Sequence, residues 1–333
     1  MNDNSRIDVL SQSQTVLLDK TKDGEERPWK EKKLGNVAYY ETLALLGFNK
    51  AERVSSCAEV LEFNVLDDGE KRLKKAWFCK SPLCPICNWR KAMKHSYQVM
   101  RVVSEVVRQR PSARWLFLTL TVKNAWDGEE LDKSLRAINR AFNRLTKYKK
   151  VQKNLIGFVR STEVTVNHEN GSYNQHIHVL LCVKSTYFKN KDNYIEQKEW
   201  TSLWQRAMKV DYTPVVHIQT VKDMRKKEVA SKLPAGLESA VKETAKYAVK
   251  SADYLTDDVD DNMSVVQDLE QGLYSKRMVG WGGLLKEVHK ELNLKEDDED
   301  LVHLDDEKDG QVEEAAYVMI ARWNWYKQNY YVG

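Results

Sequence analysis

The sequence predicts an α+β fold with antiparallel strand pairs, on three observations. Several runs alternate in polarity with the period of two that a half-buried strand requires. Others repeat apolar residues at helical spacing, the stripe of a helix packed on one face. Turn signals at Asp67-Asp-Gly69 and His168-Glu-Asn-Gly-Ser172 join successive extended runs closely enough for hairpins. With 333 residues, 42% hydrophobic, and ten tryptophans, the chain can bury a substantial core in two or three domains. No apolar run nears membrane-spanning length, and the N-terminus lacks a secretory pattern, so a cytoplasmic protein without membrane partners is expected. Its five cysteines are then thiols or metal ligands before they are disulfides.

In chain order, residues 1–35 read as a polar, mobile arm with a charged run at Lys20–Lys33, followed by a short helix at Asn36–Phe48. Next come Cys57 and the group Cys79, Cys84 and Cys87, whose C-x4-C-x2-C spacing turns tightly at Cys84-Pro-Ile-Cys87. Cys57 completes a four-sulfur tetrahedral set at the base of a hairpin pairing Ala58–Val65 with Leu73–Phe78. Structural zinc is favoured over buried free thiols or a Cys84/Cys87 redox pair, because no βαβ context surrounds the knuckle. Asn88–Arg110 reads as a helix with a valine stripe (Val99, Val102, Val103, Val106), ended by Pro111. Arg114–Asn124 reads as a strand, Leu131–Tyr148 as an amphipathic helix and Leu155–Asn167 as a second strand.

The stretch Asn174–Val183 carries the first chemistry. If it is extended, His176 and His178 share one face, while Ile177, Val179, Leu181 and Val183 take the other. Two imidazoles so placed are half of a divalent-metal site, or two hydrogen-bonded strand-face histidines. Hairpin pairing with Leu155–Asn167 can bring Glu163 opposite them, and two histidines with one carboxylate suit Mn²⁺ or Mg²⁺ while leaving positions open for a phosphate. A solvated surface charge is the alternative for Glu163. Glu196–Met208 reads as a helix and Thr213–Val221 as a strand. Leu237–Leu255 then reads as one helix, on which Glu243, Tyr247, Lys250 and Tyr254 form a stripe apart from the apolar face. A phenol flanked by a carboxylate and a lysine can be a nucleophile beside a metal, or an amphipathic packing tyrosine. Asp257–Asp261 and Glu296–Asp309 read as acidic linkers, Gly280-Trp-Gly-Gly-Leu-Leu-Lys286 as a turn with an apolar anchor, and Ala315–Tyr331 as a strand returning to an existing sheet.

Charge is unevenly spread. Residues 71–110 hold 11 Lys/Arg against the single acid Glu105, and residues 131–160 hold 9 against Asp132. Residues 253–310 reverse this, with 18 Asp/Glu against 6 Lys/Arg. The basic blocks point to a polyanion held by the first half of the chain. The acidic block reads as a solvated or repulsive surface.

Taken in order, Phe117-Leu-Thr-Leu-Thr121, His176-Ile-His178 and Glu243-x-x-x-Tyr247-x-x-Lys250 resemble the three motifs of HUH endonucleases. The chain is most similar to the rolling-circle replication initiators of small bacterial plasmids, over about residues 50–290. The resemblance implies a central antiparallel sheet with helices packed on it, an added four-cysteine zinc subdomain and a C-terminal extension. It divides the chain into an arm and short helix (1–50), a zinc subdomain with a basic helix (51–110), a nicking domain (111–256) and an acidic C-terminal region (257–333). It implies that His176, His178 and Glu163 hold a catalytic Mn²⁺ or Mg²⁺ and that Tyr247 is the nucleophile. Glu243 would activate water at termination, and Lys250 is the motif's lysine. Tyr254, seven residues after Tyr247, departs from the two-tyrosine pattern and is not expected to be catalytic. Origin DNA, a host helicase and the replication machinery are the implied partners, with a homodimer also compatible. The rival readings are a single-strand transposase or relaxase of the same superfamily, and a zinc-stabilised DNA-binding regulator without catalysis.

Overall fold

The computed structural model describes residues 15–21, 23–221, 233–245, 248–294, 300–304 and 315–333. The chain runs β1 (Thr15–Val16), α1 (Trp29–Leu45), α2 (Ala51–Ser55), β2 (Val60–Val65), β3 (Lys71–Ala76), α3 (Pro85–Gln109), β4 (Arg114–Thr121), α4 (Gly128–Leu145), α5 (Lys149–Asn154) and β5 (Leu155–Asn167). It continues through β6 (Ser172–Val183), α6 (Gln197–Met208), β7 (Val216–Thr220), α7 (Ala235–Thr244), α8 (Val259–Leu273), β8 (Val279–Gly283), α9 (Leu284–Glu291), β9 (Tyr317–Asn324) and β10 (Asn329–Val332). The strands form two five-stranded antiparallel sheets, ordered β7-β4-β6-β5-β8 and β1-β10-β9-β2-β3. This is the expected α+β architecture of a sheet with helices packed on it.

The histidine strand β6 is the middle of the first sheet, and alternation decides what each face meets. Ile177, Val179 and Leu181, with Leu116, Leu118 and Leu120 of β4, pack on Ile138 and Phe142 of α4 and on Trp200 and Trp204 of α6. The opposite face presents Phe117, Val159, Leu180 and Cys182 to the valines of α3, to Leu237 and Val241 of α7 and to Leu285 of α9. Pro85 starts α3 at a position where its missing N–H costs no helical bond. Asp127 caps α4 by accepting from the Glu130 amide at 2.8 Å.

Four expectations are corrected. The helix read over Leu237–Leu255 ends at Thr244, Lys250 is extended, and Ser251–Asp253 is a separate 3₁₀ turn. Glu243 and Lys250 therefore share no helix face. Apolar residues run on past the break because they enter a second core there: Leu237 and Val241 pack under the histidine sheet, while Val249 and Leu255 pack in the core that holds the cysteines. Gly280–Gly283 is not a turn but most of β8, paired with β5. Its glycines permit close approach: a Cβ on Gly282 would run into the Phe158 ring, and one on Gly283 into the Ile156 carbonyl. Asp257–Asp261 is not a linker, since Asp258 caps α8 through the Asp261 amide and acids in that first turn suit the helix dipole.

The last correction concerns the arm. Residues 1–14 lie outside the described residues, yet β1 pairs with β10, and α1 begins at Trp29 rather than Asn36. Trp29 is buried, and its indole N–H donates to Asp19 at 2.8 Å. Lys33, at the end of the charged run, is fully buried. Ala315–Tyr331 returns as expected to a sheet, as the β9–β10 hairpin, with β9 pairing to β2 of the cysteine hairpin. No helix among the described residues is long and apolar enough to cross a membrane.

Candidate metal centres and active site

The hairpin of β5 and β6 sets Glu163 directly across from His176, and Ser161 across from His178. On the other side of β6, Thr119 stands opposite His178 and Thr121 opposite His176. Glu163 Oε2 lies 3.3 Å from His176 Nε2 and 3.1 Å from His178 Nε2. The three groups thus offer ligand atoms within 4.8 Å of one another. Each remaining ring nitrogen is tied back, His178 Nδ1 to Thr119 Oγ1 at 3.2 Å and His176 Nδ1 to Asn174 Oδ1 at 3.1 Å. Phe117 stacks on His178 at 5.6 Å between centroids. Outer partners of this kind fix the tautomer and aim both Nε2 atoms inward. Burial works to raise the Glu163 carboxyl, but hydrogen bonds from His176 and His178 outweigh it and hold the group below the ordinary carboxylate range. The donor set of two imidazoles and a carboxylate fits Mn²⁺ or Mg²⁺.

The segment after α7 reaches this same edge. Val164, next to Glu163, donates its amide to the Ala248 carbonyl at 2.8 Å. Tyr247, which precedes Ala248, lies outside the described residues. Glu243 is half-buried on the last turn of α7, and Lys250 is exposed. Tyr254 is buried in the other core, donates its O–H to the Leu83 carbonyl and meets Tyr39 edge-on at 6.2 Å, which is a packing position.

Cys57, Cys79, Cys84 and Cys87 converge in a second, fully protein-enclosed group. Their sulfurs stand 3.6 Å (Cys57–Cys87), 3.7 Å (Cys79–Cys87) and 3.7 Å (Cys57–Cys84) apart. A zinc–sulfur distance of about 2.3 Å gives a tetrahedron edge of about 3.8 Å, whereas a disulfide needs about 2.0 Å. The spacing fits a structural zinc ion and excludes a disulfide in this arrangement. The amides of Cys79 and Lys80 point at Cys57 Sγ (3.4 Å) and Cys87 Sγ (3.3 Å), and Asn36 Nδ2 at Cys84 Sγ (3.5 Å). Lys33 Nζ donates to the Ser55 and Cys57 carbonyls, both at 2.7 Å, which sets a cation beside four prospective thiolates. Cys182 stands apart, buried in the first sheet, and burial pushes its thiol up to about 12.

The family model for replication proteins matches residues 70–331. The chain belongs to the replication protein family. This replication protein is 51% identical over 319 residues to "Protein rep" of Lactiplantibacillus plantarum, covering 95% of this chain and 99% of that one. It is 51% identical to a "Replication protein" of Staphylococcus aureus (72% of this chain, 99% of that one) and 45% identical to "Protein rep" of Streptococcus pneumoniae (95% of each). No solved structure matches it. The family agrees with the resemblance drawn from the three motifs.

Sequence reading missed the supporting groups of both centres. Asn174 and Thr119 sit two residues before His176 and opposite His178, positions that a known register would have singled out. Lys33 and Asn36 carried no signal, because a charged run reads as solvated until its partner is known.

Proposed function

We propose that this protein initiates rolling-circle replication of a small plasmid by binding the double-strand origin and nicking one strand. The convergence of His176, His178 and Glu163, with both Nδ1 atoms tied back, carries this reading. The ion that they would hold, Mn²⁺ or Mg²⁺, supplies Lewis-acid polarisation of the scissile phosphate. Tyr247 attacks through its phenolic oxygen. A tyrosyl O–P bond forms, the P–O3′ bond breaks, and the leaving 3′-oxygen takes up a proton as a primer hydroxyl. The DNA 5′-phosphate stays on the tyrosine as an ester, so its energy is kept for rejoining. Glu243, at the end of the helix packed over β5 and β6, takes the proton from water when the cycle terminates, and Lys250 offers its cation to the phosphate. The four-cysteine group would hold structural zinc. The basic blocks at 71–110 and 131–160 hold the origin backbone, and a host helicase and polymerase use the primer end.

A labelled origin hairpin incubated with Mn²⁺ tests the proposal on a denaturing gel. A protein–DNA adduct that disappears with EDTA and with Tyr247→Phe is expected. An adduct that persists in Tyr247→Phe would remove that residue as nucleophile, and no adduct from the wild-type protein would leave only origin binding.

A further inference from the structure

Between α3, α9 and the β5–β8 edge lies an open cleft of about 780 Å³. Its wall includes Lys91, Arg160, Lys276, Arg277, Lys286 and Lys290, and no carboxylate is among the described residues that line it. Four of these cations come from residues 253–310, the most acidic part of the chain, where only six Lys/Arg occur. The fold gathers those four in one place.

Arg160 is the informative member. It is only 8% exposed, donates to the Thr162 hydroxyl at 3.3 Å and lies over the Phe142 ring at 5.6 Å. Burial, and then the charge of Arg277, bring its guanidinium down to about 10. A buried cation is ordinarily paired, and setting a second cation against it adds repulsion. The backbone makes room for it, since a Cβ on Gly280 would come within 3.0 Å of Arg160 Nε. Such a group is placed for an anion. Trp281, which pairs with Val159 on the other face of the sheet, lines the same cleft around the β8 edge, its indole held by His289 at 4.8 Å and edge-on to His95 at 6.1 Å. A buried guanidinium and an indole spaced along one cleft that rounds the sheet edge suit a strand of several nucleotides, with a phosphate at one point and a base at another.

The cleft is also in the right place. Ser161, across the strand from His178, lines it, as do Ala245 and Ala248 on either side of Tyr247 in sequence. Its volume is far larger than one phosphate needs.

We propose that this cleft holds the single-stranded DNA segment adjoining the scissile phosphate, with a backbone phosphate on Arg160 and a base stacked on Trp281. Naming that strand rests on the nicking reading, whereas the anion-and-stacking site rests on the cleft alone.

The test is fluorescence anisotropy of a short labelled origin oligonucleotide with the full chain in EDTA, so that no cutting occurs. Arg160→Gln and Trp281→Ala are each expected to weaken binding about tenfold or more. The double variant Lys286→Ala/Lys290→Ala, on the exposed side of α9, is expected to lower the slope of log affinity against log salt by roughly one to one and a half. It decides the matter if Arg160→Gln does not fold. Wild-type affinity and slope in the double variant, with wild-type affinity in Trp281→Ala, would overturn the proposal. So would an equal loss for the matching duplex, or competition by inorganic phosphate or thymidine monophosphate at the oligonucleotide's own concentration. Adduct formation in Mn²⁺ is scored in parallel. Cleft-dependent binding without any adduct sinks the nicking reading and leaves the cleft, while an adduct with cleft-independent binding does the reverse.

Discussion

One carboxylate oxygen of Glu163 serves two imidazoles, so removing its charge should affect metal, pH response and little else. Glu163→Gln is expected to lower Mn²⁺ affinity at least about tenfold by calorimetry while far-ultraviolet dichroism stays native, since even outer partners of a metal ligand contribute that much. The sign of the pH effect follows from the depressed carboxyl. The unfolded chain takes up the proton first, so this contribution to stability is present above the ordinary glutamate value of 4.5 and is lost as pH falls towards the native value. In EDTA, the melting temperature of Glu163→Gln should therefore fall less steeply below pH 4.5 than that of wild type. An equal slope would remove Glu163 as the responsible group. At the same scale, Cys182 is buried with its thiol near 12, and the other four cysteines are enclosed. Ellman's reagent at pH 8 should find no fast thiol in the zinc-loaded native protein and five after denaturation with a chelator. A rapid native thiol would contradict this burial.

Elements differ in how far a sequence betrays them. β5 and β6 were legible to within two residues because period-two alternation and a Gly-containing turn left one register, and that register alone sets Glu163 against the histidines. α7 was not, because apolar spacing continued past Thr244 while the backbone did not. β8 was hidden for the opposite reason, since its glycines look like a turn and serve close approach. Gly282→Val tests that role: forcing a side chain against Phe158 should cost about 1–3 kcal/mol in urea unfolding, as overpacking does elsewhere. No change would mean that β8 shifts freely. α1 offers a second case, in which Lys33→Met strands the Ser55 and Cys57 carbonyls in a buried site. Roughly 1–3 kcal/mol of destabilisation is expected, with faster zinc loss to a chromogenic chelator. A variant as stable and as slow to release zinc as wild type would show that the ammonium is incidental.

At the level of the whole molecule, the two sheets have separate cores that meet through α3, which leaves the cysteine knuckle at Cys84 and runs under the histidine sheet. Composition signalled the basic first half but averaged away the basic cleft, because its cations are scattered along an acidic stretch. The cysteine spacing announced a metal site, yet not that α1 and β9 help enclose it, since Lys33 of α1 reads as solvated charge and β9 comes near the other end of the chain. Chelating zinc, or Cys84→Ser, should accordingly loosen both the β2–β3 hairpin and the start of α3, seen as faster amide exchange there, with β4–β6 less affected. Uniform loosening would mean that the two sheets unfold as one unit.

The strand order of the cysteine sheet has a consequence for how the protein is made. β2 lies between β3 and β9, and β9 is synthesised about 240 residues after β3. At translation rates of about 5–20 residues per second, that interval is on the order of 10–50 s. The histidine sheet has all five of its strands by Gly283, well before β9 emerges. During that interval, one edge of β2 is exposed on a chain whose histidine sheet can already close. A nascent copy thus carries an open strand edge until its final hairpin arrives, and cysteine ligation is what can hold the β2–β3 hairpin in register meanwhile.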